Sequence, residues 1–275
     1  MVRRARGSAA LVGLVLLALT GCTQAPDAAP SGAVPAAPSA GSQSAVSAST
    51  SSPTPTRTRS ATPASSPSPS ASSGFDLRKH STDDPRSVWV VVDKRRPLKP
   101  KSWVPTDLVQ PAVPHTNVPQ LRKPAAKALE RMIAGAKRDG VGVVSLSAYR
   151  AYTVQKSIFD RNLRTMGRAA TEKLTARPGY SEHQTGLADD LGDSSGRCPI
   201  ATCFATTPAG KWLKANAWRY GWILRYPPGK QAVTGIQSEP WHYRYVGTGL
   251  AKHMHATGQP LLERVFDLPD SPDYR

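Results

Sequence analysis

The sequence predicts an α+β domain over residues 75–275, a small and mostly antiparallel sheet flanked by helices. Three observations carry this. Short β-branched or aromatic runs alternate with amphipathic stretches at helical spacing. The two kinds interleave without the regular strand–helix–strand period of a parallel sheet. From about Thr23 to Ser73 the chain holds almost nothing that could enter a core, so that part cannot offset its ordering entropy by burial.

The chain begins with Arg3, Arg4 and Arg6, followed by an apolar stretch from about Ala9 to Leu19. This is shorter than the ~20 residues a membrane span needs, so residues 1–22 read as an export signal. The signal ends in Leu19-Thr20-Gly21-Cys22, which resembles the bacterial lipobox. That resemblance implies that Cys22 becomes the new N-terminus and carries lipid, placing the protein outside the cytoplasm and anchored to the cell membrane. Residues 23–74 are nearly all Ser, Pro, Ala and Thr, and are expected to be a disordered tether between anchor and domain.

Within the domain, Ser87–Asp93 is short and β-branched and reads as a buried strand. A Pro-rich loop follows to about Arg122. Pro124 suits the first turn of a helix whose stripe is Leu129, Met132, Ile133 and Ala136, and Gly140 ends it. Val141–Ser147 reads as a second strand. Tyr152–Met166 reads as a helix with Val154, Ile158, Phe159 and Leu163 inward and Gly167 closing it. A strand is expected near Leu187–Leu191, and a helix from Pro208 to Tyr220 anchored by Trp212, Leu213 and Trp218. Trp222–Arg225 and Trp241–Tyr245 are short strand candidates, and Leu250–Thr257 a last helix.

The net charge of +17, from 36 Lys and Arg against 19 Asp and Glu, suits anionic lipid headgroups, wall polymers or an acidic glycan. A nucleic-acid partner is set aside, because no such motif is present and the export signal argues against it. Of the three cysteines, Cys22 belongs to the lipid, and Cys198 and Cys203 sit at a spacing that reads as a loop-closing disulfide in an oxidising exterior. A metal site there would want two more soft ligands nearby, and none is present. Gly192-Asp193-Ser194-Ser195-Gly196 formally matches a nucleophile elbow, but Arg-Cys-Pro follows where that motif needs a helix, so it reads as a turn.

Six histidines are present. His80, His115, His253 and His255 read as ordinary core or surface residues. His183 and His242 have company: Ser181-Glu182-His183-Gln184-Thr185-Gly186-Leu187-Ala188-Asp189-Asp190 and Glu239-Pro240-Trp241-His242-Tyr243-Arg244. Two imidazoles and one carboxylate, with a fourth position left open, form a catalytic zinc set. A further carboxylate must move the proton of the attacking water, and the second stretch carries one three residues before its histidine. Spacing alone leaves these assignments weak.

The pattern Ser181-x-His183-x-x-Gly186-x-Ala188-x-Asp190, followed downstream by Glu239-Pro240-Trp241-His242, resembles the signature of VanY-type D-alanyl-D-alanine carboxypeptidases. These belong to a zinc-peptidase group that also holds D,D-dipeptidases and L,D-carboxypeptidases. Upstream, Ser147-Ala148-Tyr149-Arg150-Ala151-Tyr152-x-x-Gln155 is similar to the same family, and the likeness runs from about Val88 to Leu262. The resemblance implies a D,D-peptidase-like zinc fold and a Zn2+ cofactor held by His183, Asp190 and His242. It implies Glu239 as general base and then acid, and Arg150 either stabilising the oxyanion or holding the substrate carboxylate. Gln155 and Ser181 are implied peptide contacts, with Tyr149 and Trp241 as walls. Two positions depart from the family pattern. Asp189 stands in a slot that is usually apolar, though strand alternation sends it to the face opposite Asp190, and Ala148 replaces a usual Gly.

The expected function is thus hydrolysis of the terminal D-Ala-D-Ala bond of peptidoglycan stem peptides by a monomer. Alternatives are an L,D-carboxypeptidase or a D,D-dipeptidase with the same site, or a non-catalytic wall-binding module.

Overall fold

The computed structural model describes residues 75–275; the expected signal, Cys22 and the linker 23–74 lie outside the described residues. Leu108–Val109 (β1) and Leu121–Arg122 (β2) pair as a two-residue antiparallel ladder inside the stretch expected to be loop. Lys123–Arg138 (α1) follows at once, with Pro in its first turn and Ala125, Ala126, Ala128, Leu129, Met132, Ile133 and Ala136 buried. Its end is the expected one: Gly140 takes φ +74, and the Val141 N–H reaches back to the Ala136 carbonyl at 2.8 Å.

Val143–Ser147 (β3), Ala188–Asp193 (β4), Trp222–Leu224 (β5) and His242–Tyr245 (β6) form one sheet in the order β3-β4-β6-β5, antiparallel throughout. Strand alternation divides the work of this sheet. Leu191, Tyr243, Tyr245, Trp222 and Val143 join α1 in the main core. Asp190, His242 and Arg244 point to the other face, and the pairing register sets Asp190 directly opposite His242 and Ala188 opposite Arg244. Between β4 and β5 the chain runs through the Cys198–Cys203 disulfide loop, a helix Pro208–Asn216 (α3) and a 3-10 turn Ala217–Tyr220. Thr207 caps α3 by accepting the Gly210 N–H at 3.0 Å.

Three expectations are corrected. Ser87–Asp93 is not a strand. Its side chains alternate between two cores, Trp89 and Val91 in one, Val90 and Val92 in the other, as a buried strand's would. Three of its carbonyls, however, accept from side chains and not from a neighbouring strand. Arg244 Nη2 donates to the carbonyls of Val88 at 3.0 Å and Val90 at 2.8 Å, and Arg96 Nε donates to that of Val91 at 3.3 Å. The second helix does not stop at Gly167: Tyr152–Leu174 (α2) resumes beyond it, with a break where Gly167 takes φ 74 and ψ 169, a conformation open to glycine. Val154 of that helix is exposed, while Phe159 is buried. The α3 stretch gives way to 3-10 geometry at Ala217 instead of staying helical to Tyr220.

Gln231–Thr234 (α4), Thr248–Thr257 (α5) and Leu262–Val265 (α6) complete the domain. Leu250, Ala251, Met254 and Leu262 close the smaller core around Trp89, Val91 and Ile223. No helix among the described residues is long and apolar enough to cross a membrane. Leu129 is fully buried in the main core, so Leu129→Ala is expected to cost about 2–5 kcal/mol in a denaturant unfolding curve.

Candidate metal centre

His183 sits in a 3-10 turn, Glu182–Thr185, closed by Gly186 in the left-handed region at φ 66. A Cβ at Gly186 would meet Leu108 Cδ2 at 2.9 Å and Arg122 Cγ at 3.0 Å, so the turn packs against the β1–β2 ladder. The His183 Nδ1 donates to the Ala148 carbonyl at 2.7 Å, which leaves Nε2 facing Asp190 Oδ2 at 3.3 Å. His242 is oriented the other way. Its Nε2 lies 3.2 Å from Glu182 Oε2, and its Nδ1 lies 3.1 Å from Asp190 Oδ1. The two rings stand edge to face, 4.8 Å apart.

His183, Asp190 and His242 are the one group of this kind among the described residues, all buried, with ligand atoms within 4.8 Å of one another. Zinc bonds of about 2.0–2.1 Å in a tetrahedron place ligand atoms about 3.3 Å apart. The contacts to Asp190, 3.3 Å from His183 Nε2 to Oδ2 and 3.1 Å from His242 Nδ1 to Oδ1, are close to that spacing though made to different oxygens, and each imidazole spends its remote nitrogen on an oxygen acceptor. The donor set therefore fits a zinc ion with three protein ligands. Asp189 is excluded from it: its carboxylate turns to the opposite face and accepts Ser145 Oγ at 2.9 Å.

The protonation pattern follows from burial and partners. Burial and the nearby Arg150 push His183 down to about 4. Burial opposes charge on His242 too, but its bonds to Asp190 and Glu182 prevail and raise it to about 9. Burial works against ionised Asp190 and Glu182 as well, yet the histidines beside Asp190, and Arg225 with Arg244 beside Glu182, hold both carboxyls well below the usual range. A bound dication would take the place of the proton on His242.

Glu239 lies in the turn before β6, with Oε2 3.7 Å from His242 Nδ1, and burial raises it to about 8. Arg150 Nη2 stands 3.8 Å from Asp190 Oδ2, and Arg150 Nη1 donates to Gln155 Oε1 at 2.9 Å. The Arg150 Nε is buried without a hydrogen-bond partner. Arg150, Gln155, Ser181, His183, Glu239 and His242 line one small cavity of about 60 Å³.

Tyr149 and Trp241, expected as walls, do not line this cavity; Trp241 packs in the main core. The walls come instead from Leu174, Thr175, Ala176, Tyr226 and Ile236. Sequence reasoning missed these because they come from loops and a helix end far from the motifs. Ser194 and Ser195 form a turn after β4, where Ser195 Oγ donates to Asp193 Oδ1 at 2.6 Å. A larger cavity of about 270 Å³, walled by Trp218, Trp222 and Met254, contains no carboxylate.

Behind His242 lies a network of four charges with fully buried side chains. Glu182 Oε1 accepts from Arg225 Nε and Arg244 Nη1, each at 2.9 Å. Arg225 also binds Glu263 in a two-pronged pair at 2.6 Å and 3.0 Å. Arg244 was legible in part, since it lies two residues after His242 and so shares its face.

An α+β sheet carrying a two-histidine, one-aspartate site beside a buried carboxylate and arginine defines a zinc metallopeptidase. The profile of the VanY family, described as D-alanyl-D-alanine carboxypeptidase, matches residues 118–248. The YodJ protein of Bacillus subtilis (strain 168) is 38% identical over 186 residues, covering 64% of this chain and 68% of YodJ. Among solved structures, the LdcB LD-carboxypeptidase superposes with a TM-score of 0.63 at 38% identity, over 68% of this chain and 88% of LdcB. A mutant of the D,D-pentapeptidase VanY from the VanB-type resistance cassette, in complex with Zn(II), gives 0.54 at 32% identity, over 64% and 96%. The chain belongs to the VanY family of peptidases.

Proposed function

We propose that this chain is a D,D-carboxypeptidase that removes the terminal D-alanine from peptidoglycan stem peptides. The observation that carries the reading is the placement of Glu239 and Arg150 with His183 and His242 in one cavity, Glu239 3.7 Å from His242 and Arg150 3.8 Å from Asp190. Bound zinc supplies Lewis acidity and lowers the pKa of water. Arg150, fixed by Gln155 and Asp190, faces developing negative charge on the scissile carbonyl or the substrate carboxylate. Glu239, which a bound dication would keep ionised against its burial, takes the proton of the attacking water as oxygen bonds to the carbonyl carbon. It then gives that proton to the amine nitrogen as the C–N bond breaks. The small apolar surface of Leu174, Ala176 and Ile236 suits a terminal residue bearing only a methyl group.

The higher TM-score with LdcB favours a second reading, in which the same groups cut the L,D bond of a tetrapeptide stem. Incubating the zinc-loaded protein with a pentapeptide and a tetrapeptide muropeptide, and weighing the products, separates the two. Loss of one alanine from the pentapeptide is the expected result; loss from the tetrapeptide alone moves the cut. Chelation should abolish either cleavage, and added Zn2+ should restore it.

The proposal also holds the domain outside the cell, tethered through lipid on Cys22, which the basic, apolar and lipobox-like leader supports. Cys22→Ala is expected to shift the protein from the membrane fraction to the soluble one.

A further inference from the structure

The segment Ser271–Tyr274 lies outside the region matched by the family profile, yet it touches both walls of the cavity. On one side, the buried Ser271 donates its N–H to the Val233 carbonyl at 2.8 Å. The Ser271 carbonyl passes so close to Gly235 that a Cβ there would sit 2.3 Å from it. Ile236, the next residue, lines the cavity. On the other side, Tyr274 Oη accepts the Arg177 N–H at 2.8 Å. The Arg177 guanidinium lies 4.1 Å over the Tyr274 ring, and Tyr180 meets that ring edge-on at 5.1 Å. Thr175, Ala176 and Ser181, on either side of these contacts, line the cavity. Lys94 fixes the segment from below by donating to the Pro272 carbonyl at 2.9 Å.

A chain of hydrogen bonds leads inward from there. Beside Arg177, the Ala176 carbonyl accepts Gln155 Nε2 at 2.8 Å, and Gln155 Oε1 accepts Arg150 Nη1 at 2.9 Å. The two walls also meet directly, since the Gln237 N–H donates to the Lys173 carbonyl at 2.9 Å.

We infer that Ser271–Tyr274 is a strap that sets the width of the substrate cavity, with Tyr274 as a positioning residue for the Arg177–Ser181 wall. The inference rests on the reading of this cavity as the peptide site. The strap touches no metal ligand, so its effect falls on substrate affinity and not on zinc loading.

The test uses the full chain, zinc-loaded, as parent, Tyr274→Phe and Tyr274→Ala. Tyr274→Phe keeps the ring and loses only the acceptor. Losing one such bond corresponds to roughly a 2–10-fold effect, and Tyr274→Ala should exceed it. KM for the cleaved peptide is expected to rise by those factors while kcat stays within about twofold, as for lost ground-state binding. Hydrogen exchange, measured without substrate, should speed up at 175–181 and stay unchanged in α1, with zinc content equal to the parent. Unchanged KM in both variants, or exchange that rises nowhere or everywhere alike, would overturn the strap. A parent that cleaves neither peptide would sink the function proposed above, and the exchange comparison would still decide whether Tyr274 holds the wall.

Discussion

Glu239→Gln is expected to lower kcat by about 10²–10⁴-fold, the range for loss of a general acid–base group. The argument is geometric. Glu239 is the carboxylate of the cavity that neither completes the three-ligand cluster nor sits in the network with Arg225 and Arg244. Its oxygen is 3.7 Å from His242 Nδ1, close enough to act beside the metal without being needed to hold it. Gln keeps the shape and the Tyr226-facing backbone bond but cannot take a proton. Zinc content, melting temperature and KM should therefore stay near the parent values while turnover fails. Loss of zinc together with activity would make Glu239 a ligand instead, and retained turnover would remove it from the mechanism.

How much of this was legible in the sequence depends on what each residue answers to. The ligands were legible through the family resemblance of two short motifs, and alternation along β4 separates Asp189 from Asp190: the structure puts the first on Ser145 and the second between the histidines. Helix α1 was legible because its apolar stripe and its glycine stop are both short-range signals. Ser87–Asp93 misled because hydrophobic pattern reports burial, and burial here comes without a neighbouring strand. A guanidinium from β6 takes the place of that neighbour, and nothing near Val88 announces Arg244. The same distance hides Tyr226, Ile236 and Tyr274, whose roles come from folds of the chain that bring residues nearly 100 positions apart into contact, as with Arg177 and Tyr274 at a separation of 97. Glu182 is an intermediate case. It stands inside the motif, but its partner Arg225, and the Glu263 that Arg225 also binds, are strangers to it in sequence.

Glu182→Gln is expected to be the most damaging conservative change for stability, and to weaken zinc binding as well. Three donors converge on this carboxylate: Arg225 Nε, Arg244 Nη1 and His242 Nε2, at 2.9, 2.9 and 3.2 Å. An amide offers one acceptor oxygen and one NH₂, so at least one of those donors must face another donor. Removing a partner from a buried ion network leaves uncompensated charge and costs about 3–5 kcal/mol. If the amide NH₂ faces His242, the imidazole loses the acceptor that keeps its proton on Nε2 and its Nδ1 lone pair toward the metal. Losing such an outer partner typically weakens metal affinity 10–100-fold. Glu263→Gln provides the comparison. It breaks the two-pronged bond to Arg225 but leaves His242 its acceptor, so it should lower the unfolding free energy without changing zinc affinity. Both quantities can be read on folded protein, by denaturant unfolding and by competition with a chelator of known affinity. Equal zinc affinity in the two variants would show that the network is only structural, and that His242 is held in place by Asp190 and the sheet alone.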